Sequence, residues 1–276
     1  MICAQFIEGI RGPVFVLARI PEGQIHGCVL FLPPFAEEMN KTRHMFTRLG
    51  NVLAVNGIAS VLLDLYGTGD SGGDFSEAGW SVWKNDVAQV VKWCQLKGIP
   101  VTNLLAVRLG CALALEVVNS MRLPSFRSTI LWQPLFDGKR ALTQFLRLRV
   151  AANMLSSTGK ETVDGLRGLL KAGKSVEIAG YQLSSRLAIE LDEIAVPSVL
   201  PDEFGSVTWV EVRARSEADL PMTSRSIINK TIENRGLVKV RVFEGEAFWS
   251  SAEIKCNSSV IEASYLDLKD ACLGQS

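Results

Sequence analysis

The feature that most constrains the fold is a regular alternation between short apolar runs and longer segments with helical spacing. The apolar runs are rich in β-branched residues and are mostly flanked by turn residues; they lie at 14–18, 28–32, 59–63, 104–107, 129–132, 207–212 and 238–243. Segments with helical periodicity separate several of these runs, at 41–56, 80–97 and 109–121. This alternation is typical of a mostly parallel sheet that is covered by helices on both faces. We therefore predict an α/β fold.

The region 139–195 departs from this alternation. Its segments 141–154 and 161–170 are helical in pattern and have no strand between them. We interpret the region as a helical cap that is inserted into a single core formed by 1–138 and 196–276. Caps of this kind lie over the carboxyl ends of the strands, where open α/β sheets hold their ligands.

The charge and cysteine content argue against several functions. Lys+Arg and Asp+Glu both count 29, so the formal net charge is zero and nothing recruits nucleic acid or an anionic membrane surface. The six cysteines form no C-x-x-C pair, which favours a reducing compartment. No stretch reaches the roughly 18 uncharged apolar residues of a membrane span, and the amino terminus does not read as a secretion signal. We expect a cytoplasmic protein without a membrane span.

A sharp turn is expected between a strand and a helix in the segment NLLAVRLGC, which runs from Asn103 to Cys111. Such a turn is called a nucleophile elbow when a serine stands at its apex between small residues, as in G-x-S-x-G. Ala106 and Gly110 retain the small residues, but the apex is Arg108. A guanidinium stays protonated and only donates hydrogen bonds, so it cannot attack a carbonyl carbon. The usual acyl-transfer mechanism is therefore not available at this elbow.

Histidines are scarce, and their positions remove a second part of that mechanism. Only His26 and His44 are present, and both precede the elbow. In enzymes with a nucleophile elbow the catalytic histidine follows the last core strand. Here the corresponding stretch, FEGEAFW at 243–249, contains no histidine. We place Phe248 at the histidine position and expect Trp249 to begin the next helix.

Two weaker candidates for catalytic groups remain. Cys111 lies three residues after Arg108, where a helix dipole and a nearby cation lower a thiol pKa, and His44 would have to act as its base. We interpret Cys111 as a packing residue instead, and we expect His44 at the surface. The loop after 207–212 retains Glu217 and Asp219, which we interpret as solvated charges.

The glycine-rich segment DLYGTGDSGGDF, at 64–75, follows an apolar strand and includes Asp70 and Ser71. It resembles the D-x-x-G-x-G-x-S pattern of the α/β-hydrolase superfamily, and the order of elements through 14–260 agrees with that superfamily. The segment has neither a P-loop lysine nor the Rossmann glycine spacing that opens a helix. We therefore expect no nucleotide cofactor, and we expect no metal.

The proline-containing segment PPFAEEMNKTR, at 33–43, supplies further candidate residues. In α/β-hydrolases the equivalent loop provides an oxyanion donor. Here it contains Phe35, Glu37, Glu38 and Asn40 at the start of a predicted helix. One interpretation gives these carboxylates a role at the site; the other is that they only stabilise the helix amino terminus by opposing its dipole.

The elbow and this loop are expected to meet at the same edge of the sheet, so Arg108 should lie close to carboxylates. A semi-buried guanidinium without an anion loses several kcal/mol of hydration, and Glu37, Glu38 and Asp70 are the nearest candidate partners. We favour a structural ion pair. Alternatively, Arg108 stays partly free to bind a carboxylate or phosphate group of a ligand beneath the cap.

Three blocks, at 33–41, 63–75 and 107–110, together resemble the exosortase A system-associated hydrolase family, second type. The pair at 248–249 also suits that family. The resemblance implies an α/β-hydrolase fold and a cytoplasmic role in the production or export of exopolysaccharide. The word hydrolase in the family name follows the fold, and a shared fold does not establish activity.

These observations predict a pseudoenzyme with the α/β-hydrolase fold that binds an anionic or carbohydrate-linked small molecule, or a protein partner in polysaccharide export. In an alternative, the chain hydrolyses an ester, thioester or glycan-linked acyl group, with Glu37 or Glu38 as general base and Arg108 with the Leu109 N–H stabilising the oxyanion. A third reading is an interaction scaffold without a small ligand. The candidate ligand-binding residues are Phe35, Glu37, Glu38, Asn40, Asp70, Ser71, Arg108, Leu109 and Phe248.

Overall fold

The computed structural model describes residues 1–121, 123, 125–156, 161–215, 219–236 and 238–274. Its main feature is an eight-stranded sheet in the order β1-β2-β4-β3-β5-β6-β9-β10. The strands of this sheet are β1 (Ile2–Glu8), β2 (Pro13–Arg19), β3 (Gly27–Leu32), β4 (Ile58–Leu63), β5 (Asn103–Val107), β6 (Ser128–Trp132), β9 (Ser206–Arg213) and β10 (Val238–Glu244). Strand β2 is antiparallel to both β1 and β4, and the remaining pairs are parallel. The predicted α/β fold is confirmed.

Helices cover both faces of the sheet, because its central strands are apolar on both sides. In β5, Leu104 and Ala106 pack into one hydrophobic cluster with helices α2 and α3, whereas Leu105 and Val107 pack into a second cluster with α1 and α8. This is the period-two alternation of a strand whose two faces are both buried. The helices are α1 (Glu37–Val55), α2 (Trp80–Leu96), α3 (Gly110–Met121), α4 (Gly138–Ser156), α5 (Val163–Lys171), α6 (Ser185–Asp192), α7 (Met222–Arg235) and α8 (Ser258–Leu273).

Strand β1 was not expected from the sequence. Its residues alternate between exposed and half-buried positions, and it forms one edge of the sheet, so it has no continuous apolar run. The seven runs that the sequence predicts as strands fall within the other seven strands of this sheet. Helix α1 begins at Glu37, four residues earlier than the predicted segment.

The segment between β6 and β9 contains three helices, α4 to α6, and we call it the cap. Helix α4 contains the predicted segment 141–154, and α5 begins two residues later than the predicted segment 161–170. The cap also contains a hairpin of β7 (Val176–Ile178) and β8 (Tyr181–Leu183), together with α6, none of which was predicted. Ala179 and Gly180 form the two-residue hairpin turn, with φ 49° and φ 84°, as the favoured hairpin turns require. None of the helices in the described ranges is long and apolar enough to cross a membrane.

Candidate functional site

The elbow is formed by Arg108, which connects β5 to α3. Its φ is 53°, in the left-handed region that a residue with a side chain seldom occupies. The Arg108 N–H donates to the Trp132 carbonyl at 3.0 Å, and the Arg108 carbonyl accepts from Cys111 N–H at 3.0 Å and from Leu135 N–H at 3.2 Å. The backbone of a nucleophile elbow is therefore present, with a guanidinium at its apex.

The loop after β3 approaches the elbow closely, and Gly110 makes this approach possible. A Cβ atom at Gly110 would lie 2.6 Å from the Pro33 carbonyl oxygen and 2.7 Å from that of Leu32. Two further non-glycine residues that follow the carboxyl ends of strands in the eight-stranded sheet have a positive φ: Ala36 after β3, at 50°, and Gln133 after β6, at 45°. Such conformations cost about 1–3 kcal/mol each and concentrate at functional sites. Three neighbouring strand ends are strained in this way.

The Arg108 side chain joins three separate parts of the chain. Its Nε lies 3.1 and 3.3 Å from the two carboxylate oxygens of Glu38, and its Nη2 lies 3.1 Å from Glu38 Oε1. Nη2 also donates to Gln144 Oε1 of cap helix α4 at 2.6 Å. The guanidinium carbon lies 5.4 Å from the centre of the Trp249 ring, which is a cation–π contact. Arg108 thus links the start of α1, the cap and the stretch after β10.

Glu38 is the carboxylate that pairs with Arg108. Burial raises the pKa of Glu38, and the opposing charge and hydrogen bonds of Arg108 only partly offset this effect. Glu37, at the preceding position of α1, instead accepts from Asn40 Nδ2 at 3.2 Å and lies 3.8 Å from Lys41 Nζ. Asn40 also donates to the Tyr181 hydroxyl of the cap hairpin at 3.0 Å. Glu37 and Asn40 therefore hold the cap hairpin on the start of α1.

Asp70 and Ser71 belong to a glycine-rich loop that has its own internal bonding. Asp64 accepts from Arg43 Nη2 at 2.6 Å and from the Asp70 N–H at 2.9 Å. The Ser71 hydroxyl donates to the Asp64 carbonyl at 2.5 Å and accepts from the Phe15 N–H of β2 at 2.8 Å. These contacts fix the loop against β2 and α1, and Asp70 is exposed to solvent. Among the described residues, no hydrogen bond or ion pair joins Asp70 or Ser71 to Arg108.

Trp249, rather than Phe248, faces the elbow. Phe248 is only 1% exposed; its ring lies 5.8 Å from that of Trp132 and 5.0 Å from that of Trp249, and it lines neither of the two cavities beside Arg108. The expectation that Trp249 begins a helix is wrong, because the next helix, α8, begins at Ser258. The apolar stretch around Phe248 packs into the core and turns the following indole towards the guanidinium.

The two weaker catalytic candidates are not arranged for catalysis. Cys111 is fully buried and its Sγ lies 3.3 Å from the Ala106 carbonyl; burial raises the pKa of this thiol well above its ordinary value, against the smaller lowering effect of Arg108. His44 is half-buried rather than at the surface, with Nδ1 3.1 Å from the Lys41 carbonyl. Asp219 is exposed and pairs with Arg225 at 3.0 Å, while Glu217 lies outside the described residues.

One side of the elbow is apolar and almost filled. We call this space the apolar cavity; it has a volume of ≈ 10 Å³, room for about one water molecule, and its lining includes Pro34, Phe35, Leu65, Trp83, Leu109 and Leu113. The Phe35 ring lies 5.0 Å from that of Phe145 on α4, 5.8 Å from that of Phe75 and 5.9 Å from that of Trp83. These rings occupy the space between the core and the cap.

Two backbone donors remain beside the apolar cavity. Within the described chain, neither the Phe35 N–H nor the Leu109 N–H donates a hydrogen bond. These are the positions that supply oxyanion donors in enzymes with a nucleophile elbow. The donors are thus retained, while the nucleophile and the histidine base are replaced.

The other side of the elbow is polar and more spacious. We call this space the polar cavity; it has a volume of ≈ 70 Å³, and its lining includes Arg108, Gln133, Asp137, Arg140, Glu211 and Thr223. Glu211 is 1% exposed and accepts from Trp209 Nε1 at 3.0 Å, from Arg213 Nη2 at 3.1 Å and from the Ser224 hydroxyl at 3.2 Å.

Sequence reasoning did not identify several residues around the elbow. Glu211 carried a usable signal, because it is the one acidic residue in the otherwise apolar run VTWVEV. Arg140 and Gln144 carried none, because their relation to Arg108 depends on how the cap folds back. Gln133 lies beside Arg108 because β6 pairs with β5, and which strands are neighbours is not evident from the sequence. No group of three or more His, Cys, Asp or Glu residues is placed to hold a metal ion in the parts of the chain that the structure describes.

Solved structures of esterases and lipases share this architecture. Est1E from Butyrivibrio proteoclasticus, with ferulic acid bound, superposes with a TM-score of 0.65 at 14% identity, covering 97% of this chain and 99% of that chain. A thermostable carboxyl esterase from Bacillus coagulans gives 0.66 at 14% identity, covering 99% of both chains. A soluble variant of monoglyceride lipase from Saccharomyces cerevisiae gives 0.63 at 15% identity, covering 99% of this chain and 94% of that chain.

These similarities show that the chain has the α/β-hydrolase fold. At such low identity they define the fold alone, because one fold supports many unrelated activities. No protein-family profile and no curated protein sequence matches this chain. What the site does is therefore argued from its own residues.

Proposed function

We propose that this chain is a binding protein with the α/β-hydrolase fold rather than a serine esterase, and that Arg108 receives an anionic group of its ligand. The observation that carries the proposal is the partial engagement of the guanidinium. Nε and Nη2 are bonded to Glu38 and Gln144, whereas Nη1 has no partner among the described residues. The Nη1 atom carries two N–H groups. Because Arg108 lines the polar cavity, both of these N–H groups are placed to donate to a ligand.

Two other functions receive less support. A hydrolase would need a free general base, yet the Glu38 carboxylate is engaged by Arg108 and that of Glu37 by Asn40. A scaffold without a ligand would have an arginine enclosed by carboxylates and no cavity beneath the cap. The unengaged Nη1 and the polar cavity favour ligand binding over a scaffold.

The resemblance to exosortase A system-associated hydrolases extends the proposal. On that reading the protein acts in the cytoplasm in polysaccharide production or export, and the ligand is a carbohydrate-linked anion or a group on an export partner. This extension rests on the three sequence blocks and not on the geometry of the site. Measuring the exported polysaccharide of cells that lack this chain tests it.

The central test treats the pure protein with a fluorophosphonate probe and a panel of chromogenic acyl esters. We expect neither labelling nor turnover, because the apex residue has no hydroxyl and the sequence has no histidine after the last core strand. In parallel, Arg108→Ala combined with Glu38→Gln, which leaves no unpaired carboxylate, should abolish binding of small anions as measured by calorimetry. Labelling that maps to a serine, or ester turnover above background, would overturn the proposal.

A further inference from the structure

We infer that the polar cavity binds a short monocarboxylate, of about four to six non-hydrogen atoms, between Arg108, Gln133 and Arg140. This inference rests on the proposed function and adds the position and chemical class of the ligand. It follows from three properties of the cavity: which hydrogen-bonding groups are unengaged, how the charges balance, and how large the cavity is.

The unengaged polar groups of the cavity are mostly donors. In the part of the chain that the structure describes, Arg108 Nη1 and the Gln133 amide nitrogen have no hydrogen-bond partner. The same holds for the Arg140 guanidinium and the Thr223 hydroxyl, which belong to solvent-exposed residues at the rim of the cavity. Two guanidinium groups and an amide present several N–H groups, and such donors suit an oxyanion with two or more acceptor oxygens.

Acceptors in the cavity, by contrast, are largely occupied. Both oxygens of Glu211 accept hydrogen bonds, from Trp209, Ser224 and Arg213. Asp137 Oδ1 accepts from the Arg140 backbone N–H at 2.9 Å. A ligand that mainly needs acceptors, such as an amine, would find few of them here.

Gln133 is held so that its amide nitrogen is left for a ligand. Its backbone N–H donates to the Val210 carbonyl at 2.7 Å, and its side-chain Oε1 accepts from the Val212 N–H at 2.8 Å. Because the oxygen is used by β9, the nitrogen is the end of the amide that remains. The positive φ of Gln133, 45°, is a strained conformation of the kind that functional sites retain.

The charge balance selects a monoanion over a dianion. Arg108 is neutralised by Glu38, and Arg213 by Glu211. The remaining charged residues of the lining, Arg140 and Asp137, carry one charge of each sign. The site is therefore close to neutral before binding, so a carboxylate adds one uncompensated charge, whereas a phosphate monoester or sulfate adds up to two.

The size of the cavity limits the length of the ligand. A volume of ≈ 70 Å³ corresponds to about five water positions at roughly 10–15 Å³ each. Acetate and glycolate fit this limit, while an acyl chain of a lipid does not. The nearly filled apolar cavity on the other side of Arg108 offers no additional room.

Calorimetry or ligand-observed NMR on the full chain tests the inference with glycolate, acetate, phosphate, sulfate and the neutral glycolamide. We expect glycolate and acetate to bind, phosphate and sulfate to bind at least about tenfold more weakly, and glycolamide to show no binding. Arg140→Ala should weaken glycolate binding about tenfold, the loss of one charge-assisted hydrogen bond. The matched control is Arg147→Ala, an exposed arginine on the same helix that does not line the cavity and should change the affinity less than about twofold.

Each outcome bears on the inference separately from the proposed function. Tighter binding of phosphate or sulfate than of glycolate, or equal effects of the Arg140 and Arg147 substitutions, would overturn the inference while leaving an anion-binding protein. Absence of binding by every anion would overturn it as well. Ester turnover by the wild-type protein would instead overturn the proposed function, whichever anions bind.

Discussion

The two cavities at the elbow differ in what fills them, although they border adjacent residues. Leu109 lines the apolar cavity and Arg108 lines the polar cavity. The apolar cavity is filled by rings from the core and the cap and holds ≈ 10 Å³. The polar cavity holds ≈ 70 Å³ and is lined by two guanidinium groups, two carboxylates and an amide. In a chain with arginine at the elbow, the apolar cavity is thus nearly filled, whereas the polar cavity remains open.

This difference shows which part of the site is available for function. The backbone donors at Phe35 and Leu109 survive on the apolar side, but no substrate carbonyl fits against them in the described structure. On the polar side several hydrogen-bond donors are unengaged and there is room for a small ligand. Substitutions on each side should therefore have different consequences: loss of stability on the apolar side and loss of binding on the polar side.

The largest expected effect is that of Phe145→Ala on the apolar side. Phe145 is 5% exposed and packs edge-to-face on Phe35, so its removal leaves a cavity between the cap and the core. We expect the free energy of unfolding to fall by about 3 kcal/mol, measured by urea denaturation. Leu148→Ala, on the same helix and 47% exposed, is the control and should change it by less than about 0.5 kcal/mol. A loss below about 1 kcal/mol for Phe145→Ala would show that the rings do not close this side.

The next effect concerns the ion pair between the two cavities. The side chains of Arg108 and Glu38 are 11% and 24% exposed, so Glu38→Gln leaves a mostly buried cation without a counter-charge. We expect a loss of about 2 kcal/mol in the free energy of unfolding, less than for a fully buried pair. Glu37→Gln is the control: its carboxylate is 37% exposed and 3.8 Å from Lys41, so the change should stay within about 0.5 kcal/mol. Equal effects of the two substitutions would refute a stabilising pair.

The smallest effect concerns Asp86, a buried carboxylate behind the loop that borders the apolar cavity. Asp86 Oδ2 accepts from the Tyr66 N–H at 2.9 Å, and Oδ1 has no partner among the described residues. Burial raises the pKa of Asp86 to about 6, and the hydrogen bond from Tyr66 offsets only part of this rise. Because the folded state holds this proton more tightly, stability should fall as the pH rises from about 4 to about 6 and remain lower above that range.

Asp86→Asn tests this dependence. The variant should gain about 1–2 kcal/mol in the free energy of unfolding at pH 8 relative to the wild type, and almost nothing at pH 4. The gain is smaller than the full linkage value because the new amide N–H₂ is buried without a partner. Urea denaturation across this pH range measures it, and parallel pH profiles of the two proteins would contradict it.

Much of the fold could be predicted from the sequence because the central strands are apolar on both faces. The run 59–63 is continuous and fits within β4, whereas β1 alternates and the strands β7 and β8 have three residues each, too short to show a period. At the site, the elbow could be found because Ala106 and Gly110 meet a local steric demand. Glu38 was one of three carboxylates predicted as possible partners of Arg108. The position of α1 in the structure is needed to identify Glu38 as the partner.

The remaining contacts of Arg108 could not be predicted, because each joins segments far apart in the chain. Gln144 lies 36 positions from Arg108, on a cap helix whose seating is set by packing. Phe248 was expected at the site, but Trp249 is the residue that contacts Arg108. A sequence pattern does not show which of two adjacent aromatic residues packs into the core. Asp70 and Ser71 were expected near Arg108 by analogy, yet the Asp70 N–H and the Ser71 hydroxyl bond to Asp64 and β2, and the Asp70 side chain is exposed to solvent.

Arg108 contacts Glu38, Gln144 and Trp249, so a substitution at this one position disturbs three segments of the chain. Arg108→Ser would remove the hydrogen bond that joins the cap to the elbow and would leave the Glu38 carboxylate without its cation, while the new hydroxyl would have an indole beside it rather than a proton acceptor. We therefore expect this substitution to cost stability without creating a nucleophile. The guanidinium is a structural junction on which the elbow depends for its contacts with the rest of the fold.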